Sequence, residues 1–360
     1  MLLAGDVGGT KTLLGLFTAR PDRPSAIDVG EFTTLDYSGL EPMIESFLKS
    51  RNVEQKHIDA ASFGVAGAVT DQVARLTNVP WLVEGESIKE RLGFRRSYVL
   101  NDLEAMAYGV TVLEQDELSM LQRGVPYPNG NAAVIAAGTG LGEAMLLNVN
   151  GRFVPSASEG GHADFAARTP REFELLRELT RIYGRVSVEA ILSGPGLVNV
   201  YQFTHQSFGT DPGIVNVYQF SHESSGADRA QMQGSVFPSR LCAAVGRVTD
   251  PAELPARISR AAIDRTCEHC VEALDMFVAV YGAESGNIAL RTCATAGVYV
   301  GGGIAPKILP ALESGIFLDA FRAKEPMADY VATIPIAVIL NPDAGLLGAA
   351  VHAQEMSVGA

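Results

Sequence analysis

The sequence has little that favours a membrane or a nucleic acid. Its 360 residues contain no uninterrupted apolar run of the roughly 18 residues that a membrane-spanning helix needs. Positive charge is scarce, because 28 Lys and Arg stand against 41 Asp and Glu and give a net charge of −13. Such a chain lacks the broad positive field that nucleic-acid-binding proteins use. The start, MLLAGDVGG, shows no basic segment or cleavage site, so we predict no signal peptide and expect a cytoplasmic protein.

Cysteine is scarce too, and the four cysteines do not suggest a disulfide framework. Cys267-Glu-His-Cys270 has the spacing of half a zinc site, but the sequence shows no second ligand pair at a matching spacing. Residues 257–281 have the pattern of one long amphipathic helix, which would carry both thiols as structural side chains. The histidines that join no obvious constellation are His57, His205, His222, His269 and His352. We therefore expect reduced, structural cysteines, a group that also includes Cys242 and Cys293.

What remains is the composition of a globular protein, with 47% hydrophobic and 19% charged residues. At roughly 100–200 residues per domain, this length favours two domains. Asp6-Val-Gly-Gly-Thr-Lys11 lies between two short apolar runs, and Gly138-Thr-Gly-Leu-Gly142 lies between two others. The same layout of strand, glycine turn and strand thus opens each half of the chain. We predict a duplicated α/β fold with a cleft between its halves.

A short tandem duplication is peculiar to this sequence. Residues 195–211 and 212–228 are identical at 12 of 17 positions. Two copies are too few and too short for a solenoid, so we interpret them as an insertion. Because 17 helical residues rotate the second copy by roughly 100° from the first, both copies cannot pack on one face of a straight helix. We expect one copy in the core and the other as a partly exposed extra segment.

The first glycine turn has the chemistry of a phosphate-binding loop. Gly8 and Gly9 allow the backbone to approach phosphate oxygens, and the N–H groups of such a turn form an anion-binding concavity. Thr10 adds a hydroxyl donor, and Lys11 adds a positive charge. Asp6, at the end of the preceding strand, is suited to hold a divalent cation through water. An ordinary hairpin turn is the alternative interpretation.

Two further glycine-rich junctions follow apolar strands. Gly138, Thr139 and Gly140 repeat the first layout and are suited to bind the β- and γ-phosphates of a nucleotide. At Gly302 and Gly303, the lack of side chains would let a flat adenine ring lie against the backbone. A glycine-rich hairpin at the first junction, and a tight turn before a helix at the second, are the alternatives.

Polar side chains suggest a sugar site. Asn101 and Asp102 follow a strand, where ligands bind in open α/β sheets, and Asp102 is suited to accept the proton of an attacking hydroxyl. Glu159 and His162 offer the acceptors and donors that a polyol requires, and a zinc site is the rival interpretation. Glu189 lies among apolar neighbours. The alternatives are that Asp102 caps the helix that follows it and that Glu189 is a surface helix residue.

Taken in order, these motifs resemble the bacterial glucokinase family, within the actin-like superfamily of sugar kinases and Hsp70-type ATPases. The resemblance covers nearly the whole chain and includes Leu192-Ser-Gly-Pro-Gly196 and Gly345-Leu-Leu-Gly348. It implies an actin-like, ribonuclease H-like fold and Asp102 as general base. The sugar ligands that it implies are Asn101, Asp102, Glu159, His162 and Glu189.

The resemblance also implies ATP phosphates on the two glycine loops, with Mg²⁺ beside them, and a homodimer. It implies a small domain of residues 1–112, completed by a C-terminal helix at 341–360, and a large domain of residues 113–340. Two departures stand out: the duplication follows Glu189 closely, and the Cys-rich zinc motif of the related repressor–kinase family is missing, as is an N-terminal helix-turn-helix.

The expected activity is transfer of the γ-phosphoryl group of ATP to the 6-hydroxyl of glucose. A kinase for another hexose or an N-acetyl amino sugar remains open, as does a non-catalytic sugar sensor on the same fold.

Overall fold

The computed structural model describes residues 1–76, 79–205 and 241–358. The chain divides into two compact units. The first comprises Met1–Leu118, Ala144–Ala157 and Leu340–Ala360, and the second comprises Ser119–Glu143 and Ser158–Ile339. The domain limits at residues 112 and 341 stay a prediction.

The elements that precede residue 118 alternate strands and helices, and all of them belong to the first unit. They are β1 (Leu2–Val7), β2 (Lys11–Thr18), β3 (Ser25–Thr33), α1 (Leu40–Ser50), β4 (Ala60–Val65), β5 (Val69–Thr70), β6 (Val73–Arg75), β7 (Leu82–Glu84), α2 (Gly85–Leu92), β8 (Ser97–Asn101) and α3 (Asp102–Val110). Near the end of the chain, helix α11 (Ala344–Val358) completes this unit. Strands β1 and β4 are buried along almost their whole length, as their mainly apolar sequences predict.

The remaining elements lie wholly or mainly in the middle of the chain. They are β9 (Leu118–Gln122), β10 (Ala132–Ala137), β11 (Leu141–Val149), β12 (Arg152–Ser158), α4 (Pro170–Tyr183), α5 (Gly194–Thr204), α6 (Leu254–Ile263), α7 (Glu268–Thr292), β13 (Gly297–Gly301), α8 (Leu309–Leu312), α9 (Ile316–Arg322), α10 (Ala328–Ala332) and β14 (Ile336–Ile339). Helix α4 begins as its sequence predicts, because the Thr169 hydroxyl accepts the Glu172 N–H at 3.2 Å and Pro170 opens the helix. It ends at Gly184, whose φ is +75°.

The two large sheets repeat one strand order. The first runs β3-β2-β1-β4-β8, and the second runs β12-β11-β10-β13-β14, with β9 added at its edge. In both sheets, an antiparallel hairpin that contains the glycine turn leads into strands that pair in parallel. In the first sheet β1 pairs with β4 and β4 with β8. In the second sheet β10 pairs with β13 and β13 with β14. This repetition is the duplicated α/β arrangement predicted from the two glycine turns.

The parallel register of the first sheet brings three strand ends to one edge. Asp6 on β1 is opposite Gly64 on β4, and Val65 on β4 is opposite Asn101 on β8. Adjacent strands lie about 4.8 Å apart, so the ends of β1 and β8 are separated by about 10 Å. Asp6 and Asn101, far apart in sequence, therefore lie at the same edge of this sheet.

Helices α3 and α11 pack together through glycine. A Cβ atom at Gly348 would lie 2.6 Å from the backbone nitrogen of Gly109, and one at Gly109 would clash with the carbonyl oxygen of Ala344. The two helices and the β-sheet bury a cluster that includes Leu346 and Ala105. This close approach holds the start of α3, which carries Asp102, and the start of α11 against the sheet.

The sequence interpretation was wrong for residues 257–281, which form two helices rather than one. Helix α6 ends after Ile263, where the Thr266 N–H donates to the Ala261 carbonyl and Arg265 adopts a left-handed φ of +52°. That pattern is a Schellman ending, in which the left-handed residue is usually glycine. Because arginine occupies the position, the sequence carries no visible stop signal.

The described part of the first repeat copy is buried. Residues 195–205 lie in or directly after α5, and the side chains from Leu197 to Thr204 are buried. The rest of that copy and the second copy, including the predicted break at 208–213, lie outside the described residues.

Candidate active site

The first glycine turn is held by hydrogen bonds on both sides. The Gly8 N–H donates to the Lys11 carbonyl at 3.0 Å, and the Thr34 hydroxyl donates to the Gly8 carbonyl at 2.8 Å. A Cβ atom at Gly8 would lie 2.9 Å from the Lys11 carbonyl oxygen, so glycine is required there. Thr10 and Lys11 are exposed, and Lys11 forms an ion pair of 2.7 Å with Glu31. The turn thus presents a fixed backbone with exposed polar side chains, as a phosphate loop requires.

Asp6 has an electrostatic environment that suits a cation. Burial, followed by the negative charge of Asp343, raises the pKa of Asp6 from 3.8 to about 6, although Lys11 acts in the opposite direction. A Cβ atom at position 345 would lie 3.2 Å from the Asp6 carboxylate, so Gly345 allows this close contact with the start of α11. Carboxylate oxygens are the ligands that Mg²⁺ prefers. A poorly solvated carboxylate beside a second one therefore fits a divalent cation.

Asn101, rather than Asp102, caps helix α3. The Asn101 side-chain oxygen accepts the N–H groups of Leu103 at 2.9 Å and Glu104 at 3.2 Å, and its amide nitrogen donates to the Gly67 carbonyl at 3.0 Å. Asp102 is the first helical residue, and its Oδ1 accepts the Leu103 N–H at 2.9 Å. Since Asn101 supplies the cap, capping is not the main task of the partly exposed Asp102 carboxylate.

In the second unit, Glu159, His162 and Glu189 lie together. The His162 ring is 3.8 Å from the Glu159 carboxylate through Nε2 and 3.6 Å from the Glu189 carboxylate through Nδ1. Glu189 has only 13% of its side chain exposed, whereas Glu159 has 59%. The structure thus brings the three predicted sugar ligands of this unit into one cluster of donors and acceptors.

Glu189 also supports the second glycine loop. Its Oε2 accepts the Leu141 N–H at 2.7 Å, and a Cβ atom at Gly140 would lie 2.5 Å from the same oxygen. The residue lies in a turn, so the alternative of an exposed helix residue is wrong. One carboxylate therefore contacts both the loop predicted to bind phosphate and the histidine predicted to bind sugar.

The glycine junctions at the ends of β10 and β13 are neighbours. Ala136 on β10 is opposite Gly301 on β13. The buried Tyr281 hydroxyl lies 3.1 Å from the Ala137 nitrogen and 3.1 Å from the Gly301 carbonyl oxygen, and so links the two strand ends. Gly302 has a φ of +83° and leaves no room for a side chain against Ala137, whereas a Cβ atom at Gly303 would meet nothing within 4 Å. The loop of Gly138, Thr139 and Gly140 thus lies beside Gly302 and Gly303.

The sequence interpretation missed Glu143, which lies beside the segment that carries Glu159 and His162. Its side chain is buried, its Oε2 lies close to Gly160, and its Oε1 has no hydrogen-bond partner among the described residues. Burial, followed by the negative charge of Glu284, raises the pKa of Glu143 to about 7. A charged residue in the otherwise apolar strand β11 was the available signal.

A family model described as "Glucokinase" matches residues 3–356. The chain belongs to the glucokinase family. A glucokinase from Synechocystis sp. is 35% identical over 364 residues, which cover 98% of each chain. The resemblance inferred from the motifs is therefore confirmed.

Solved structures of the family agree with this fold. A glucokinase from an Antarctic psychrotroph has a TM-score of 0.78 and 26% identity, with 98% of each chain covered. A glucokinase from Balamuthia mandrillaris in complex with glucose has a TM-score of 0.70 and 20% identity, over 98% of this chain and 93% of that one. The predicted actin-like α/β fold is confirmed. In the described residues, none of the helices is both long and apolar enough to cross a membrane.

Proposed function

We propose that this member of the glucokinase family transfers the γ-phosphoryl group of ATP to the 6-hydroxyl of glucose, which yields glucose 6-phosphate and ADP. One observation carries the proposal beyond the family assignment. The parallel register of β1, β4 and β8 puts Asp6 and Asn101, the residue directly before Asp102, at one edge of the first sheet, which supports this proposal. Phosphoryl transfer needs a group that accepts the hydroxyl proton close to groups that bind phosphate.

Asp102 acts as the general base in this proposal. It lies in the first turn of α3, where its side chain is partly exposed. The 6-hydroxyl oxygen attacks the γ-phosphorus, the bond to the β-phosphate oxygen breaks, and Asp102 receives the hydroxyl proton late in the transfer. Asn101, locked by its capping bonds, presents its amide to the sugar.

The cluster in the second unit binds the remaining sugar hydroxyls. Glu159 and Glu189 accept hydrogen bonds from them, and His162 donates or accepts through its ring. Glu189 also fixes the loop of Gly138, Thr139 and Gly140, so sugar and phosphate binding share one support. Because phosphoryl transfer depends on positioning to within a fraction of an ångström, such shared support favours the reaction.

The nucleotide contacts follow from the glycine loops. In this proposal Gly8, Gly9, Thr10 and Lys11 form one phosphate-binding loop, Gly138, Thr139 and Gly140 form another, and adenine lies against Gly302 and Gly303. Asp6 would hold Mg²⁺, which would supply positive charge next to the phosphates. We also infer a cytoplasmic homodimer that acts in glycolysis, as the resemblance implies.

The decisive experiment compares two acidic residues in the first turn of α3. Asp102→Asn is expected to lower kcat by about 10²- to 10⁴-fold in a coupled ADP-release assay with glucose and Mg²⁺. Glu104→Gln, in the same turn, is expected to keep kcat within about threefold, because Glu104 has no role in the proposed chemistry. Circular dichroism and thermal unfolding check that both variants are folded.

Three results would contradict the proposal. Normal turnover by Asp102→Asn would remove the base assignment. A wild-type kcat/KM for another hexose or an N-acetyl amino sugar above that for glucose, in the same assay, would change the substrate. Glucose binding without turnover would favour a sugar sensor.

A further inference from the structure

Four side chains from three separate segments converge in the second unit. They are His205, Cys242, Cys267 and Cys270, and their ligand atoms all lie within 4.8 Å of one another. His205 follows helix α5, Cys242 opens a turn that ends at Gly246, and Cys267 and Cys270 begin helix α7. The expectation that His205 joins no cluster is therefore wrong, because folding supplies the ligand pair that the sequence did not show at any regular spacing.

The measured separations fit a tetrahedral ion. The Sγ atoms of Cys242 and Cys270 are 3.9 Å apart, and Nε2 of His205 is 3.4 Å from Sγ of Cys267. With Zn–S bonds of about 2.3 Å and Zn–N bonds of about 2.0 Å, the edges of a zinc tetrahedron are about 3.8 Å between sulfurs and about 3.5 Å between sulfur and nitrogen. These two separations therefore match the edges of a zinc tetrahedron, and all four ligand atoms lie within 4.8 Å of one another.

A hydrogen bond and the start of a helix hold three of the side chains in positions that suit metal ligands. His205 Nδ1 lies 2.9 Å from the Tyr201 carbonyl oxygen, so the ring donates there and keeps Nε2 as the atom that faces Cys267. Cys267 is the N-cap residue of α7, and Cys270 lies in its first turn. The two cysteines are thus separated by two residues, which is the spacing of a ligand pair in many structural zinc sites.

Neither a disulfide nor ordinary core packing accounts for all four side chains of the cluster. A Cys242–Cys270 disulfide would involve two of these side chains and would not explain why Cys267 and the oriented His205 ring lie beside them. Ordinary core packing would favour apolar neighbours over a half-exposed imidazole aimed at a thiol. Three cysteines and one histidine, by contrast, are a complete ligand set for a structural zinc site, which has no open position for water.

We propose that His205, Cys242, Cys267 and Cys270 together bind one structural zinc ion. The ion would join the end of α5, the turn at Cys242 and the start of α7. His205 and Cys242 also stand on either side of residues 206–240, which contain most of the tandem duplication. One zinc ion would therefore tie the two residues that flank this stretch, His205 and Cys242, to helix α7.

The wild-type protein tests the proposal without any variant. Purified under reducing conditions without chelator, or refolded with ZnSO₄, the full chain is expected to hold about one zinc per chain by plasma mass spectrometry. X-ray absorption at the zinc edge is expected to show about three sulfur neighbours near 2.3 Å and one nitrogen near 2.0 Å. Zinc below about 0.1 per chain after refolding, a shell of nitrogen and oxygen alone, or a Cys242–Cys270 disulfide under these conditions would overturn it.

Matched variants test the individual ligands. Cys270→Ser is expected to reduce zinc at least tenfold, whereas Cys293→Ser, outside the cluster, is expected to keep the wild-type content. The duplication offers a second control, because His222 occupies in the second copy the position of His205 in the first. His205→Ala is expected to weaken zinc binding, and His222→Ala is expected to leave it unchanged. Zinc loss in His222→Ala or Cys293→Ser, but not in their partners, would contradict the assignment.

Discussion

The buried negative charge of Asp6 is expected to help bind a divalent cation but to destabilise the folded protein, and a single substitution tests both effects. Its carboxylate lies at the end of β1 with its pKa raised to about 6, because burial and Asp343 both disfavour the ionised form. Above that pH the folded protein must hold a poorly solvated negative charge, whereas the unfolded chain ionises at its ordinary pKa of 3.8. Asp6→Asn keeps the shape of the side chain and removes this charge.

The size of the effect follows from the shift. A pKa difference of about 2 units corresponds to about 3 kcal/mol at about 1.4 kcal/mol per unit. Since the carboxylate keeps some contact with solvent, about 3 kcal/mol is an upper value. The unfolded state releases its proton first as the pH rises, so the wild type loses this stability between about pH 4 and pH 6. Below that window the variant and the wild type are expected to be equally stable.

Thermal unfolding from pH 4 to pH 8, with activity measured in parallel, checks this reasoning. Asp6→Asn is expected to unfold at a higher temperature than the wild type above pH 6, to match it near pH 4, and to lose at least about tenfold in kcat with Mg²⁺. Asp343→Asn is the control for the neighbouring charge, and it is expected to give a smaller gain over the same pH range. A stability difference that does not change with pH, or a variant less stable than the wild type above pH 6, would refute the electrostatic argument. Full activity would refute the metal role.

Two further buried groups give pH-dependent stability of opposite sign. The pKa of Glu143 is raised from 4.5 to about 7. Glu143→Gln is therefore expected to stabilise the protein by up to about 3 kcal/mol above pH 7 and to have no effect below about pH 4.5. Denaturant unfolding at both pH values measures this difference. His352 is bonded to the Ser62 hydroxyl at 2.8 Å, and burial lowers its pKa from 6.5 to about 4. The unfolded state therefore takes up a proton first as the pH falls, and up to about 3 kcal/mol is lost between pH 6.5 and pH 4. His352→Asn is expected to lack that loss in the same titration, and an unchanged slope would contradict the assignment.

Much of the fold could be predicted because its signals are local. Strands β4 and β10 were predicted with the bounds that they have, since an unbroken apolar run ended by glycine or polar residues determines a buried strand within six residues. The two glycine turns showed the duplication for the same reason. The break between α6 and α7 could not be predicted, because Arg265 occupies the left-handed position at which a glycine would have indicated the end of a helix.

The candidate site was predictable as a set of residues but not as a set of contacts. Asp6, Asn101 and Asp102 follow strands, so their place at a sheet edge was inferred from the pattern of parallel strands. That Glu189 both supports the glycine loop and faces His162 depends on a turn that no spacing rule describes.

The sequence by itself determined most element types, the glycine turns and the family, because each depends on short stretches of neighbouring residues. Only the tertiary structure decided which distant side chains meet. Cys267 and Cys270 are half a zinc site in the sequence, and the fold brings His205 and Cys242 to them. It likewise buries Glu143 beside Glu284 and moves its pKa toward neutrality. The physical reason is the same in both cases: ligand geometry and desolvation depend on distances in space, which chain segments far apart in sequence acquire only when they pack.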